Sequence, residues 1–237
     1  MLKKTKSSAI LFFAACFLLF QSTLLSGQTD TLPAVSTSAN VDIVSRYIWR
    51  GLEIGHAPGI QPALSANWKG FTLGAWGSYK LTGAGGQETD FYLSKSVSFV
   101  TVSVWDYWSF CDTTATDFFN YRNNTTAHLL EAQVLFSGGE TLPFNFLASY
   151  FFHGADPSRS IYLELQYVHK LDIANLVVFA GYQAKGTYYA SKTGFVNIGC
   201  TVKKSIPVTD RFSLPLSLSL IVNPAVNSTW LVAGITF

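Results

Sequence analysis

Much of the chain alternates apolar and polar residues. In the stretch 212–222, Phe212, Leu214, Leu216, Leu218, Leu220 and Val222 take one set of positions, and Ser213, Ser217 and Ser219 the other. A period of two belongs to a β-strand, whose side chains point to opposite faces in turn. The pattern recurs. Ile60, Leu64, Ala66 and Trp68 oppose Gln61, Ser65 and Asn67, and Phe71, Leu73, Ala75 and Tyr79 oppose Thr72, Ser78 and Lys80. Phe144, Phe146, Ala148, Tyr150 and Phe152 oppose Asn145, Ser149 and His153. Ile161, Leu163, Leu165 and Tyr167 oppose Glu164, Gln166 and Lys170. Twelve strands are predicted, near 41–50, 60–68, 71–80, 89–97, 99–109, 127–137, 144–153, 161–170, 176–185, 195–204, 212–222 and 229–237. In the fifth, Asp106 falls on the face of Val100, Val102 and Val104, so a bulge near Trp105 is expected to restore the alternation.

Alternation alone does not say which face meets water. A lipocalin-type barrel is apolar inside, and a membrane barrel is polar inside. Three features favour the membrane. Most strands have the length of about 9–11 residues that crosses a bilayer at a steep tilt. Their polar faces are mainly Ser, Thr, Asn, Gln and Gly. Aromatic residues collect at strand ends: Trp68, Phe71, Phe136, Phe144, Phe212 and Phe237 mark one expected rim, and Trp49, Tyr79, Tyr162 and Trp230 the other. The connections also differ by end. Those at 69–70, 137–143, 171–175 and 205–211 are fairly short, while 52–59, 81–88, 110–126 and 186–194 are longer. That asymmetry matches short periplasmic turns and longer outer loops. The fold class expected is all-β, a transmembrane antiparallel up-and-down barrel of about twelve strands.

Composition agrees. Hydrophobic residues make up 49 % of the 237, aromatics 15 %, and Asp, Glu, Lys and Arg together only 13 %. An ordinary soluble domain carries about 25 % charged residues. Residues 1–27 read as a signal peptide, with Lys3, Lys4 and Lys6 ahead of an uncharged run from Ala9 to Phe20, leaving 28–237 as one barrel domain. Without those three lysines the formal charge falls from +2 to −1, so no basic footprint for nucleic acid remains. Cys111 and Cys200 have no metal-ligand spacing, and no disulfide, metal or cofactor is expected. Leu231, Ala233, Ile235 and the terminal Phe237 form an alternating apolar set resembling the assembly signal of bacterial outer-membrane proteins.

Residues 40–80 carry a more specific likeness. Ser45-Arg46-Tyr47-Ile48-Trp49-Arg50-Gly51 is followed by Pro58, Gln61-Pro62 and a strand ending Lys69-Gly70-Phe71. This segment resembles the opening of the Gcw_chp family of Gram-negative exported proteins (TorF-type porins). The resemblance implies a signal peptide and an outer-membrane barrel. It implies no substrate and no catalytic residue.

Asp42, Arg46 and Arg50 are spaced to share one face of the first predicted strand. That face must be the lumen, because Arg facing lipid costs roughly 2–4 kcal/mol at the bilayer midplane. Together with Lys80, Glu131, Glu164, Lys170, Lys185 and Lys203 they form either a charged constriction that selects solutes or a salt-bridge network that fills the barrel. The longest loop, 110–126, is read as a constriction folded into the lumen, a cap on the mouth, a partner-binding segment or a surface loop. Ser149 and His153 share a predicted face about 13 Å apart along the strand, too far for a nucleophile and its base. The expected function is non-enzymatic: a narrow porin-like channel in the bacterial outer membrane passing small hydrophilic solutes. Its partners would be membrane lipid and the assembly machinery. The alternatives are a non-conducting structural or adhesion barrel, or an outer-membrane lipid hydrolase.

Overall fold

A computed structural model describes residues 34–237 apart from 84–85, 112–116, 124 and 211. The expected signal peptide, residues 1–27, lies outside the described residues, as does Asp112 of the long loop. Twelve strands close into one antiparallel barrel in which consecutive strands are neighbours. They are β1 (Ser36–Val44), β4 (Gly59–Trp68), β5 (Phe71–Lys80), β6 (Gly86–Val97), β7 (Val100–Cys111), β8 (His128–Ser137), β9 (Phe144–Gly154), β10 (Ile161–Lys170), β11 (Asn175–Lys185), β12 (Gly194–Thr209), β13 (Phe212–Asn223) and β14 (Ser228–Thr236). Two further short strands, β2 (Tyr47–Trp49) and β3 (Leu52–Gly55), pair only with each other.

Closure joins β1 to β14 through Asp42↔Thr236, Ile43↔Ile235 and Val44↔Gly234. It is extended by reciprocal backbone bonds between Val41 and Phe237, at 3.0 and 2.9 Å. Full closure leaves no unpaired edge, the condition for placing a sheet in lipid. Short turns gather at one end. Between β4 and β5, for example, Trp68 pairs with Phe71, and both Lys69 and Gly70 take positive φ. The opposite end carries the longer loops.

The alternating apolar set faces outward. Leu64, Leu73, Leu93, Val102, Leu165, Leu218 and Leu231 are each about half exposed or more. Contiguous apolar surface of this extent is foreign to a soluble monomer. Trp68, Phe71, Phe136, Phe144, Phe212 and Phe237 are likewise exposed, at the short-turn end.

Four sequence expectations need correction. The first strand does not run from 41 to 50. It starts at Ser36, ends at Val44, and the chain then turns inward. Trp49 and Tyr162 belong to no outer girdle, for both join the buried cluster inside the barrel, and Trp230 pairs with lumen-facing Ile221. No bulge interrupts β7, whose register with β6 is unbroken from Val100 to Cys111. Asp106 therefore does point outward, and its charge is met there by other means. Finally, a bulge in β9 beside Leu130 and Glu131 moves His153 to the face opposite Ser149.

Candidate functional site

The segment that read as the end of a first strand is the principal feature inside the barrel. Trp49 pairs with Leu52 across the two-residue turn Arg50-Gly51, with φ of 50° and 76°. Two positive φ values in a two-residue hairpin match the turn type that suits strand twist, and Gly at its second position carries no steric cost. An alternating stretch that pairs with itself cannot also extend the wall, so the sequence pattern survives while its location changes.

Three walls anchor this hairpin. Tyr47 donates its hydroxyl to Glu88 on β6 at 2.8 Å. Arg50 makes a two-pronged contact with Glu131 on β8, Nη1 to Oε1 at 2.5 Å and Nη2 to Oε2 at 3.0 Å. Asn223 on β13 donates to the Gly51 carbonyl at 2.9 Å. Glu131 is fully buried and also accepts from Tyr107 at 2.7 Å and Gln133 at 2.6 Å, so both carboxylate oxygens are occupied. Arg50 further lies over the rings of Trp49 and Tyr162, at 4.7 and 4.6 Å to the centroids. A guanidinium taken out of water is tolerated only with such complete pairing.

Around the hairpin tip Tyr107, Leu129, Phe151, Tyr162, Tyr189, Ala190 and Val196 form a buried cluster against Trp49 and Leu52. Tyr189 and Ala190 come from the 186–193 loop, which folds back into the mouth. Buried Gln183 holds it, donating to the carbonyls of Ala190 and Lys192 and accepting from the Tyr189 and Ala190 amides. Glycine makes room on the walls. A Cβ on Gly181 would sit 2.0 Å from the Tyr162 hydroxyl, and one on Gly74 2.2 Å from the Tyr92 ring. Each tyrosine thus lies flat on a neighbouring strand's glycine.

The other half of the lumen is polar and open. A cavity of about 370 Å³ beneath the hairpin is lined by Arg50, Glu164, Gln166, Asn197, Thr201 and Lys203 among others. A second, of about 330 Å³, continues past Lys203 to Asp42, Ser205 and Ser217. Glu164 is held by Tyr162, by Gln166 at 2.7 Å and by Asn197 at 2.8 Å.

The predicted lumen residues divide accordingly. Asp42, Arg50, Glu131, Glu164 and Lys203 line the interior, and Lys80 ends β5 on the set of Thr72, Trp76 and Ser78. Arg46 is not mid-strand. It sits at the bend after β1, partly exposed, and pairs with Glu53 of the same hairpin. Lys170 pairs with Glu140 of the 138–143 turn, and both are well exposed, so it joins no internal network. Lys185 is carried by a bulge in β11 onto the outward face of Ile161, so it too leaves the lumen set. Cys111 and Cys200 are unbridged.

No family model and no curated protein matches this chain. Among solved structures, one similar chain is described as "KdgM porin", with 10 % identity, a TM-score of 0.47, and coverage of 85 % of this chain and 98 % of that one.

The described part of the long loop, from Asp117, lies against the outside of the barrel. Phe118 and Tyr121 pack on the outer wall at its long-loop end, where Asp106 accepts from Tyr121 at 2.7 Å and contacts His128 Nδ1 at 2.7 Å. His128 Nε2 meets the Phe118 carbonyl at 2.6 Å, and its ring stacks on Tyr121 at 4.0 Å. Burial, then the hydrogen bond to Asp106, pushes the Tyr121 hydroxyl up to about 12. His153 joins through the Tyr121 carbonyl at 2.8 Å. These contacts answer the outward charge of Asp106. The only sequence signal was the misfit of Asp106 itself, read as a fault in register when it marked a docking point.

Proposed function

We propose that this chain is a narrow, porin-like channel of the bacterial outer membrane, for small hydrophilic solutes, with its long-loop end outside and that end held closed by the β2–β3 hairpin. One observation carries the reading: a polar lumen, open through two cavities towards the short turns, meets a hairpin anchored by hydrogen bonds instead of built into the wall. The exposed apolar belt and the N-terminal export signal read from the sequence support the membrane, and the Gcw_chp resemblance agrees. Membrane lipid, the assembly machinery and polar solutes are the partners this reading implies. Phe237, at the closing seam, fits the role of an assembly signal.

The filled outer half favours a second reading, a barrel that never conducts. A lipid hydrolase has no comparable support, since Ser149 and His153 lie on opposite faces of the wall. Purified protein in planar bilayers separates the two. A channel gives resolved openings interrupted by long closures. A silent barrel that keeps its heat-modifiable migration on gels establishes the second reading.

A further inference from the structure

Beside the hairpin, at the long-loop end, is a cavity of about 270 Å³ that the channel reading does not use. It is lined by Trp49, Tyr107, Tyr188, Glu88, Ser109, Ala127, Leu129 and Ala155. Ala127 and Ala155 belong to the outer loops, so the cavity lies at the mouth.

Three aromatic rings dominate the lining. Trp49 and Tyr107 have centroids 5.1 Å apart with planes at 57°, and Trp49 and Tyr188 stand edge to face at 6.1 Å and 86°. Tilted rings present faces as well as edges to the space between them. An aromatic face is negative, and several together form the surface that receives an ammonium group.

Charge points the same way. Glu88 is buried and accepts from Tyr47 and Ser109, both neutral donors, at 2.8 and 3.1 Å. Asp90, two residues on and facing the same side of β6, is 2 % exposed and has one carboxylate oxygen without any partner. Among the described residues no salt bridge joins either carboxylate to a cation. Arg50 approaches Trp49, but it is spent on Glu131. Side by side, the two buried carboxyls hold one proton between them, and the single negative charge that is left has no counter-charge; a cation entering this cavity supplies one.

We propose that the cavity binds a small organic ammonium cation, its charged head among Trp49, Tyr107 and Tyr188 and against Glu88. The proposal rests on the channel reading only for the route of entry, from the outside. An inorganic cation uses the carboxylate but gains little from the rings' shape, and a neutral solute of the same shape loses both attractions.

The test uses full-length barrel in detergent micelles, with choline as probe and 3,3-dimethylbutan-1-ol as its uncharged counterpart, read by calorimetry. Saturable choline binding with a one-to-one ratio is expected, and the alcohol should bind at least about tenfold more weakly. Glu88→Gln, which keeps the size and one acceptor oxygen but removes the charge, should weaken choline about tenfold or more. Tyr188→Leu should weaken it severalfold, and Tyr188→Phe should bind as the parent does. Heat-modifiable migration confirms that each variant is folded. Equal binding of choline and the alcohol, an unaffected Glu88→Gln, or no saturable choline binding overturns the site. Choline binding by a barrel that never conducts keeps the site and removes the channel. Conductance without choline binding does the reverse.

Discussion

Arg50 and Glu131 stand 81 positions apart in the chain, yet each guanidinium Nη atom reaches one of the two carboxylate oxygens across the barrel's interior. One residue tips an inner hairpin and the other belongs to the wall, so this pair couples plug to barrel. Side-chain exposures of 8 % and 1 % place it out of water, where the sum of desolvation and attraction depends on keeping both partners.

Removing one partner should therefore cost more than removing both. Arg50→Met leaves a buried carboxylate with only Tyr107 and Gln133, and a loss of about 3–5 kcal/mol is expected. The double variant Arg50→Met, Glu131→Leu should recover much of that. Thermal unfolding followed by circular dichroism checks the order: a double variant less stable than the single one contradicts the coupling.

Gly51 is the steric counterpart of that pair. A Cβ there would lie 1.9 Å from the Val196 carbonyl oxygen, on a backbone already at positive φ. Gly51→Ala should therefore dislodge the hairpin while the twelve-stranded wall, whose ladders the hairpin does not join, still forms. The expected signature is faster proteolysis near residues 46–55 with unchanged heat-modifiable migration; full protection of that segment would show that the turn tolerates the methyl group.

Most of the wall was legible from residue patterns because burial on one face and lipid on the other impose a strict period of two. Eleven of the twelve barrel strands fall where the alternation places them. The inner hairpin was not legible, since Tyr47-Ile48-Trp49 alternates as well inside a barrel as in its wall, and only pairing partners distinguish the two. The Arg50-Gly51 turn held the one local clue. The lumen placement of Lys185, and that of His153 on the face of Ser149, fail for a related reason: single-residue bulges reverse the face of everything beyond them, and nothing in the sequence marks either bulge. Glu131 and Glu164 were found because a carboxylate on an alternating strand has only one tolerable side.

On the outer wall, Asp106 gathers His128 and Tyr121 and so fixes the loop that covers them. Asp106→Ala removes both contacts and leaves buried His128 with the Phe118 carbonyl alone. Residues 117–126 should become sensitive to protease added outside intact cells, with barrel stability lowered by about 1–3 kcal/mol at most. A loop that stays protected would mean that Phe118 packing alone holds it.

Asp156 gives a pH dependence of defined sign. Burial raises its carboxyl, but hydrogen bonds from Ser158 and Ser160 outweigh that and hold it below its ordinary value. A carboxyl depressed on folding contributes stability that is complete above its unfolded pKa, about 3.9, and is lost as pH falls through the folded value. The 155–160 loop, tied to the 186–193 loop by Ser158 and Ser160, should thus stay protected from neutral pH to about pH 4 and loosen below it. Hydrogen exchange of the Thr187 and Tyr188 amides reports this, and Asp156→Asn should flatten the profile. Loosening on raising the pH instead would reverse the assignment.

Closure of the lumen by the hairpin is tested most directly by single-channel conductance before and after its removal. Replacing residues 46–55 with a short Gly-Ser linker leaves every wall strand in place. The parent should open rarely and to a low level, and the excised barrel should show a steady conductance several times larger. Identical traces from the two proteins would contradict the hairpin's role as the closing element.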